Sequence, residues 1–274
     1  MIEALQFEFM RNAIIAGLLI SFACGIIGTL VVVNRMVFIS GGIAHAAYGG
    51  IGIAFFTGIP PLLGAGVFSI FSAFIMGILS LKHKHRADTI IGAIWAFGMA
   101  IGILFVDLTP GYNVDLMSYL FGSILTVPAS MLWLMLILDI VILAAVTFFY
   151  KDFLAMSYDE EFASLRGVPV IILYFTLLIM ASLTVVMTIQ AVGLILVIAL
   201  FTIPQFLSER FAVSLRVMMV FSCIFGALFT VSGLWLSFRF NVTSGAAIIM
   251  VATAVLFVFL IINYFFSLHN NKPS

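Results

Sequence analysis

The chain has 274 residues, of which 65% are hydrophobic and 8% charged, and its 11 basic side chains balance 11 acidic ones. Soluble domains carry about a quarter charged residues, so this composition excludes a water-soluble core and predicts an all-α polytopic membrane protein. Zero net charge offers nothing that would hold a nucleic acid, which excludes that partner class.

Residues 1–11 (MIEALQFEFMR) are too short and too charged to span, and read as an interfacial lead-in. They lack a basic run followed by a cleavable site, so no signal peptide is expected. Apolar runs follow near 12–33, 37–57, 61–81, 89–107, 128–150, 169–188, 192–208, 217–236 and 243–266. Most reach the roughly 20 residues that a bilayer requires. The run 192–208 is short, so the pattern allows eight or nine spans. With the N-terminus outside, Arg35, Lys82, Lys84, Arg86, Lys151, Arg166, Arg210, Arg216 and Lys272 all face the cytoplasm, and only Arg11 and Arg239 face out. That asymmetry follows the positive-inside rule. Residues 267–274 then form a cytoplasmic tail.

The second run holds the one histidine inside an apolar segment, His45 in ISGGIAHAAYGGIGIAFFTG. At helical spacing Gly41, His45 and Gly49 share a face, and Gly42, Ala46 and Gly50 form the adjoining row. A helix starting near Val37 puts His45 about 12–13 Å along, close to the bilayer midplane. An ionisable group at that depth is costly and marks a functional site, although a hydrogen bond to a neighbouring carbonyl would also account for it. The KHKHR run (82–86) fits a topogenic basic cluster better than a metal site.

Between the fourth and fifth runs, Pro110, Gly111 and Asn113 signal a turn, 115–125 a short extracellular helix, and Pro128 the next start. Asp107 and Asp115 are the acidic residues of this outer region, a candidate gate. Asp139 lies in the middle of the fifth span, where a carboxylate should face the protein interior. It would line a cation path or bond a neighbouring helix in its protonated form.

The cytoplasmic segment SYDEEFASLRGVP (157–169) reads as a short amphipathic helix. Ser157 and Glu160 have capping-box spacing, Asp159, Glu160 and Glu161 open the helix, and Arg166 closes it, all favourable to the dipole. Gly167 supplies the C′ residue, and Tyr158, Phe162 and Leu165 make one apolar stripe. A helix this short needs its stripe packed, either on the membrane face or in a partner's groove. Further on, Pro204 kinks or ends its helix, and Asn241-Val242-Thr243 is a bare sequon. Cys24 and Cys223 sit in apolar runs without paired spacing, as packing residues.

Taken together, RMVFISGGIAHAAYGGIGIA from Arg35, GYNVDLMSYLFGSILTV from Gly111, YDEEFASLRGVPV, QAVGLILVIALFTIP and SGAAIIMVA from Ser244 resemble the permease subunits of metal-type ABC importers. The resemblance runs from about residue 12 to 262. It implies a single permease domain that pairs with a second copy in the lipid bilayer, bound by a cytoplasmic ATP-binding subunit and an extracellular metal-binding protein. The 157–167 helix would dock on the ATPase through Tyr158, Asp159, Glu160, Glu161, Phe162, Leu165, Arg166 and Gly167. No cofactor would be held permanently. Zinc, or else manganese or iron, would be the transported substrate, with His45 and Asp139 as candidate metal ligands.

Many family members carry an Asp one turn before the histidine, where this chain has Gly41. Imidazole without that carboxylate leans toward zinc over manganese. ATP hydrolysis would belong to the partner, in keeping with the lack of a GxxxxGK[ST] loop here. A stand-alone transporter using Asp139 and His45 as a relay is the second reading. An intramembrane enzyme is disfavoured, since the membrane segments carry no HExxH pair and no GxSxG elbow.

Overall fold

Eleven α-helices and two short 3₁₀ turns make up the computed structural model, which describes residues 6–110 and 122–270. The spanning helices are α1 (Glu8–Val33), α2 (Val37–Thr57), α3 (Pro61–Lys82), α4 (Ala87–Asp107) and α5 (Ala129–Phe148). The chain continues with α6 (Tyr150–Tyr158), α7 (Glu160–Leu165), α8 (Val170–Val192), α9 (Leu194–Glu209), α10 (Leu215–Phe240) and α11 (Ser244–Asn270). Eight of them are long and apolar enough to cross a bilayer, while α9, at 16 residues, falls short of that length.

Several boundaries lie about a turn beyond expectation, among them the ends of α8 at Val192 and of α10 at Phe240. The first helix begins at Glu8 rather than near residue 12, because Glu8 in the first turn favours the positive helix end. The last helix continues to Asn270, so part of the expected 267–274 tail is helical. Pro128 immediately precedes its helix as predicted, and Pro61 is the first residue of α3, where a missing N–H costs nothing.

Helix α2 is the packing centre, held mainly by α3 and α4. A methyl group on Gly50 would collide with the Gly64 backbone, and one on Gly52 with the Gly102 backbone. At Gly49 it would come within 2.8 Å of the Gly98 carbonyl oxygen. The glycine rows seen in the sequence therefore let three helices touch backbone to backbone. Gly41 is different, because a methyl group there would meet only the Ile198 side chain of α9, at 3.8 Å.

A polar seam not foreseen from the sequence joins α1, α9 and α10. Ser21 and Thr230 hydroxyls lie 3.1 Å apart, the Thr29 hydroxyl donates to Ser222 at 3.2 Å, and Ser208 and Ser222 are 2.7 Å apart. The buried Gln205 amide donates to the Cys24 carbonyl at 2.7 Å. Between lipid-facing helices such bonds replace the hydrophobic drive that water would supply.

Both cysteines are free, with Cys24 buried and Cys223 partly so, as expected of packing residues. The α8–α9 break is made by Gly193 at φ +79°, against which Gly122 packs. The expected 115–125 helix and Asp115 lie largely or wholly outside the described residues. What is described there is a 3₁₀ turn, Ile124–Thr126, tied to α1 by Asn12 donating to the Val127 carbonyl at 3.4 Å.

The pairing of neighbours fixes sidedness. Antiparallel contacts of α2 with α3 and of α1 with α10 bring the segments at 34–36, 83–86, 149–169 and 210–214 to one end. This end carries Arg35, Arg86, Lys151, Arg166 and Arg210, and is the cytoplasmic one by the positive-inside rule.

Candidate functional site: an intramembrane histidine and a short cytoplasmic helix

His45 lies eight residues into α2, and Trp95 lies eight residues into α4. The two helices run in parallel, with Gly49 against Gly98 and Gly52 against Gly102, so the two rings meet at the same depth. They stack with centroids 3.9 Å apart and planes 16° apart. The indole is held in turn by its N–H, which donates to the Met99 sulfur at 3.1 Å. Imidazole Nδ1 is buried and has no hydrogen-bond partner among the described residues. Leaving a buried polar atom unpaired costs about 1–3 kcal/mol, which packing must offset. An imidazole nitrogen kept free in this way remains available to an incoming ligand. Trp95 was missed by sequence reasoning. The signal was its depth, away from the interfacial belt where membrane tryptophans concentrate.

Asp139 is buried, 5% exposed, and one carboxylate oxygen lacks a hydrogen-bond partner among the described residues. It faces a hollow walled by α1 and α5 side chains, including Ile15, Leu19, Phe22 and Leu143. None of those walls comes from α2, which packs mainly on α3 and α4. The two sequence candidates therefore stand in different surroundings. Among the described residues no three His, Cys, Asp or Glu side chains cluster closely enough to enclose a metal. Asp107 is the exposed last residue of α4, at the outer end, and Asp115 lies outside the described residues.

On the cytoplasmic side the capping differs from expectation. Ser157 belongs to α6, and its hydroxyl accepts from the Asn34 amide at 3.0 Å. Asp159 is the N-cap instead, its Oδ1 accepting from the Phe162 N–H at 2.9 Å. The carboxylate is the stronger acceptor and adds charge at the positive helix end. Glu160 and Glu161 fill the first turn as expected. Arg166 caps the C-terminus with its guanidinium 4.9 Å over the Phe162 ring, and Gly167 at φ +83° makes the reversal.

Ala163 is the residue of α7 that is buried, anchoring it to the bundle. Tyr158, Phe162 and Leu165 point away, at 81%, 53% and 88% exposed. The apolar stripe thus does not cover the protein's own surface. Exposed apolar side chains of this kind form a candidate interaction surface.

The model of the ABC 3 transport family matches residues 6–263. The chain belongs to the ABC 3 transport family. A manganese transport system membrane protein, MntC, of Listeria monocytogenes is 32% identical over 93% of this chain and 90% of its own length. A membrane protein of Synechocystis is 53% identical over 92% of this chain and 90% of that one. Among solved structures, PsaBC from Streptococcus pneumoniae in complex with Fab superposes with a TM-score of 0.85 at 30% identity, over 94% of this chain and 93% of that one. An inward-facing putative metal-chelate type ABC transporter shares the fold, with a TM-score of 0.70 at 16% identity. This ABC 3 family chain is therefore a multi-pass membrane permease of the metal-transport type.

Proposed function

We propose that the chain is the membrane-spanning subunit of an ATP-driven importer for a divalent transition metal, working with a second copy of itself, a cytoplasmic ATPase and an extracellular metal-binding protein. The observation that carries this reading is the pairing of a free, buried imidazole nitrogen at mid-membrane with an outward-facing apolar stripe on a capped cytoplasmic helix. The first suits a passing metal ion, which must be bound weakly enough to leave. The second suits a helix seated in a partner's groove, with the ATPase as that partner.

His45 is the proposed transient ligand. Asp139 is a separate membrane carboxylate that would act elsewhere on the path, and Asp107 with Asp115 would border the outer gate. Two cargo metals have support. The relatives named for manganese transport favour manganese. The imidazole at His45, with Gly41 rather than a carboxylate one turn earlier, favours zinc.

The deciding experiment reconstitutes the chain with its ATPase and binding protein in liposomes and measures metal-stimulated ATP hydrolysis with manganese, zinc and iron in turn. Stimulation by one metal names the cargo. Hydrolysis that ignores every metal, or that does not depend on this chain, would overturn the reading.

A further inference from the structure

A groove of about 510 Å³ lies between α1, α5 and α10, a size typical of small-molecule sites. Its walls are almost wholly apolar, with Phe22 and Ile26 from α1, Leu143 and Val146 from α5, and Val220 and Ile224 from α10. Phe22 and Leu143 also wall the hollow beside Asp139, so the two cavities adjoin. At its cytoplasmic end the groove closes on Arg216, whose guanidinium lies 4.2 Å over the Tyr150 ring.

Arg216 is unusually placed. It is the second residue of a 26-residue helix whose first turn holds no acidic side chain. A cation there adds to the positive helix end instead of balancing it, and such an end favours an anion. Among the described residues no carboxylate lies within ion-pair distance of Arg216. An apolar groove that ends in an unpaired cation at the cytoplasmic membrane surface matches one abundant molecule in shape and charge.

We propose that the α1–α5–α10 groove binds an anionic phospholipid of the cytoplasmic leaflet, with its phosphate at Arg216 and an acyl chain along Phe22, Val146 and Ile224. The Tyr150 ring supports the guanidinium from one side and leaves the other side for the headgroup. The inference rests on the membrane location and the groove alone, and is independent of the cargo.

Native mass spectrometry of the purified full chain, offered phosphatidylglycerol and phosphatidylcholine, tests it. The wild type is expected to retain phosphatidylglycerol with about fivefold preference, equivalent to ~1 kcal/mol for one basic residue at a membrane surface. Arg216→Gln should erase the preference and Arg216→Lys should keep it. Thr147→Trp narrows the groove without changing charge, and should lower retention of both lipids.

The Lys and Trp variants carry the test if the Gln variant fails to fold. Full preference in folded Arg216→Gln would overturn the proposal. So would displacement of the lipid by inorganic phosphate alone, or Thr147→Cys cross-linking two lipid-free copies through this face.

Discussion

The imidazole of His45 lies flat on the indole of Trp95, and the indole is itself pinned by Met99 one turn further along α4. The stack fixes the plane of the histidine and therefore the direction in which Nδ1 looks. A substitution at Trp95 is expected to act through His45. Trp95→Leu should lower metal uptake about tenfold, the scale of a stacked aromatic pair worth up to ~1.5 kcal/mol. Trp95→Phe, which keeps a ring but loses the bond to Met99, should fall between. Uptake of radioactive metal by cells with matched protein levels distinguishes the two.

His45→Ala removes the free nitrogen outright. Uptake should be abolished while the chain still inserts and runs as a single species in detergent. Normal uptake by that variant would leave His45 with a packing role only.

The cytoplasmic helix separates stability from coupling. Leu165→Glu and Phe162→Glu change exposed side chains, so melting temperature should hold while ATPase stimulation by metal is lost. Asp159→Ala removes the cap and should cost about 1 kcal/mol of local helix stability. It is expected to weaken coupling partly, and an unchanged response in all three variants would remove α7 from the ATPase interface.

The glycines of α2 are not equivalent. Gly52→Ala drives a methyl group into the Gly102 backbone, and should destabilise the chain by roughly 1–3 kcal/mol. Gly41→Ala meets only a side chain at 3.8 Å and gains helix propensity, so it should be neutral or slightly stabilising. Thermal melts of the two variants in one detergent make the comparison.

The seam between α9 and α10 is open to a double-mutant cycle. Ser208→Ala and Ser222→Ala should show a coupling of about 0.6 kcal/mol, the average for bonds between membrane helices.

Hydropathy made the long helices legible because each must satisfy its own backbone in lipid, leaving a continuous apolar run. The glycine rows of α2 were legible for a related reason, since close helix approach needs small residues at fixed spacing. Interhelical facts were not. The stack on Trp95 depends on α2 and α4 starting in register, and the seam through Ser21, Thr29, Ser208 and Ser222 depends on which faces meet. Single hydroxyls in apolar runs give no hint of their partners. The cap at Asp159 was missed because Ser157 offered a capping box on paper, while α6 continued through it to Tyr158. His45 and Asp139 looked alike as intramembrane ionisable groups, yet the helices carrying them pack on different neighbours.

Backbone contact at Gly49, Gly50 and Gly52 interlocks α2, α3 and α4, leaving no slack for one to slide past another. Where α2 faces α9, by contrast, Gly41 leaves room for a methyl group before Ile198 is reached. The bundle thus has a stiff block and a compliant joint beside it. His45 and Trp95 both ride on the block, so alternating motion would carry the stacked pair as a unit and shear the protein along the Gly41–Ile198 line.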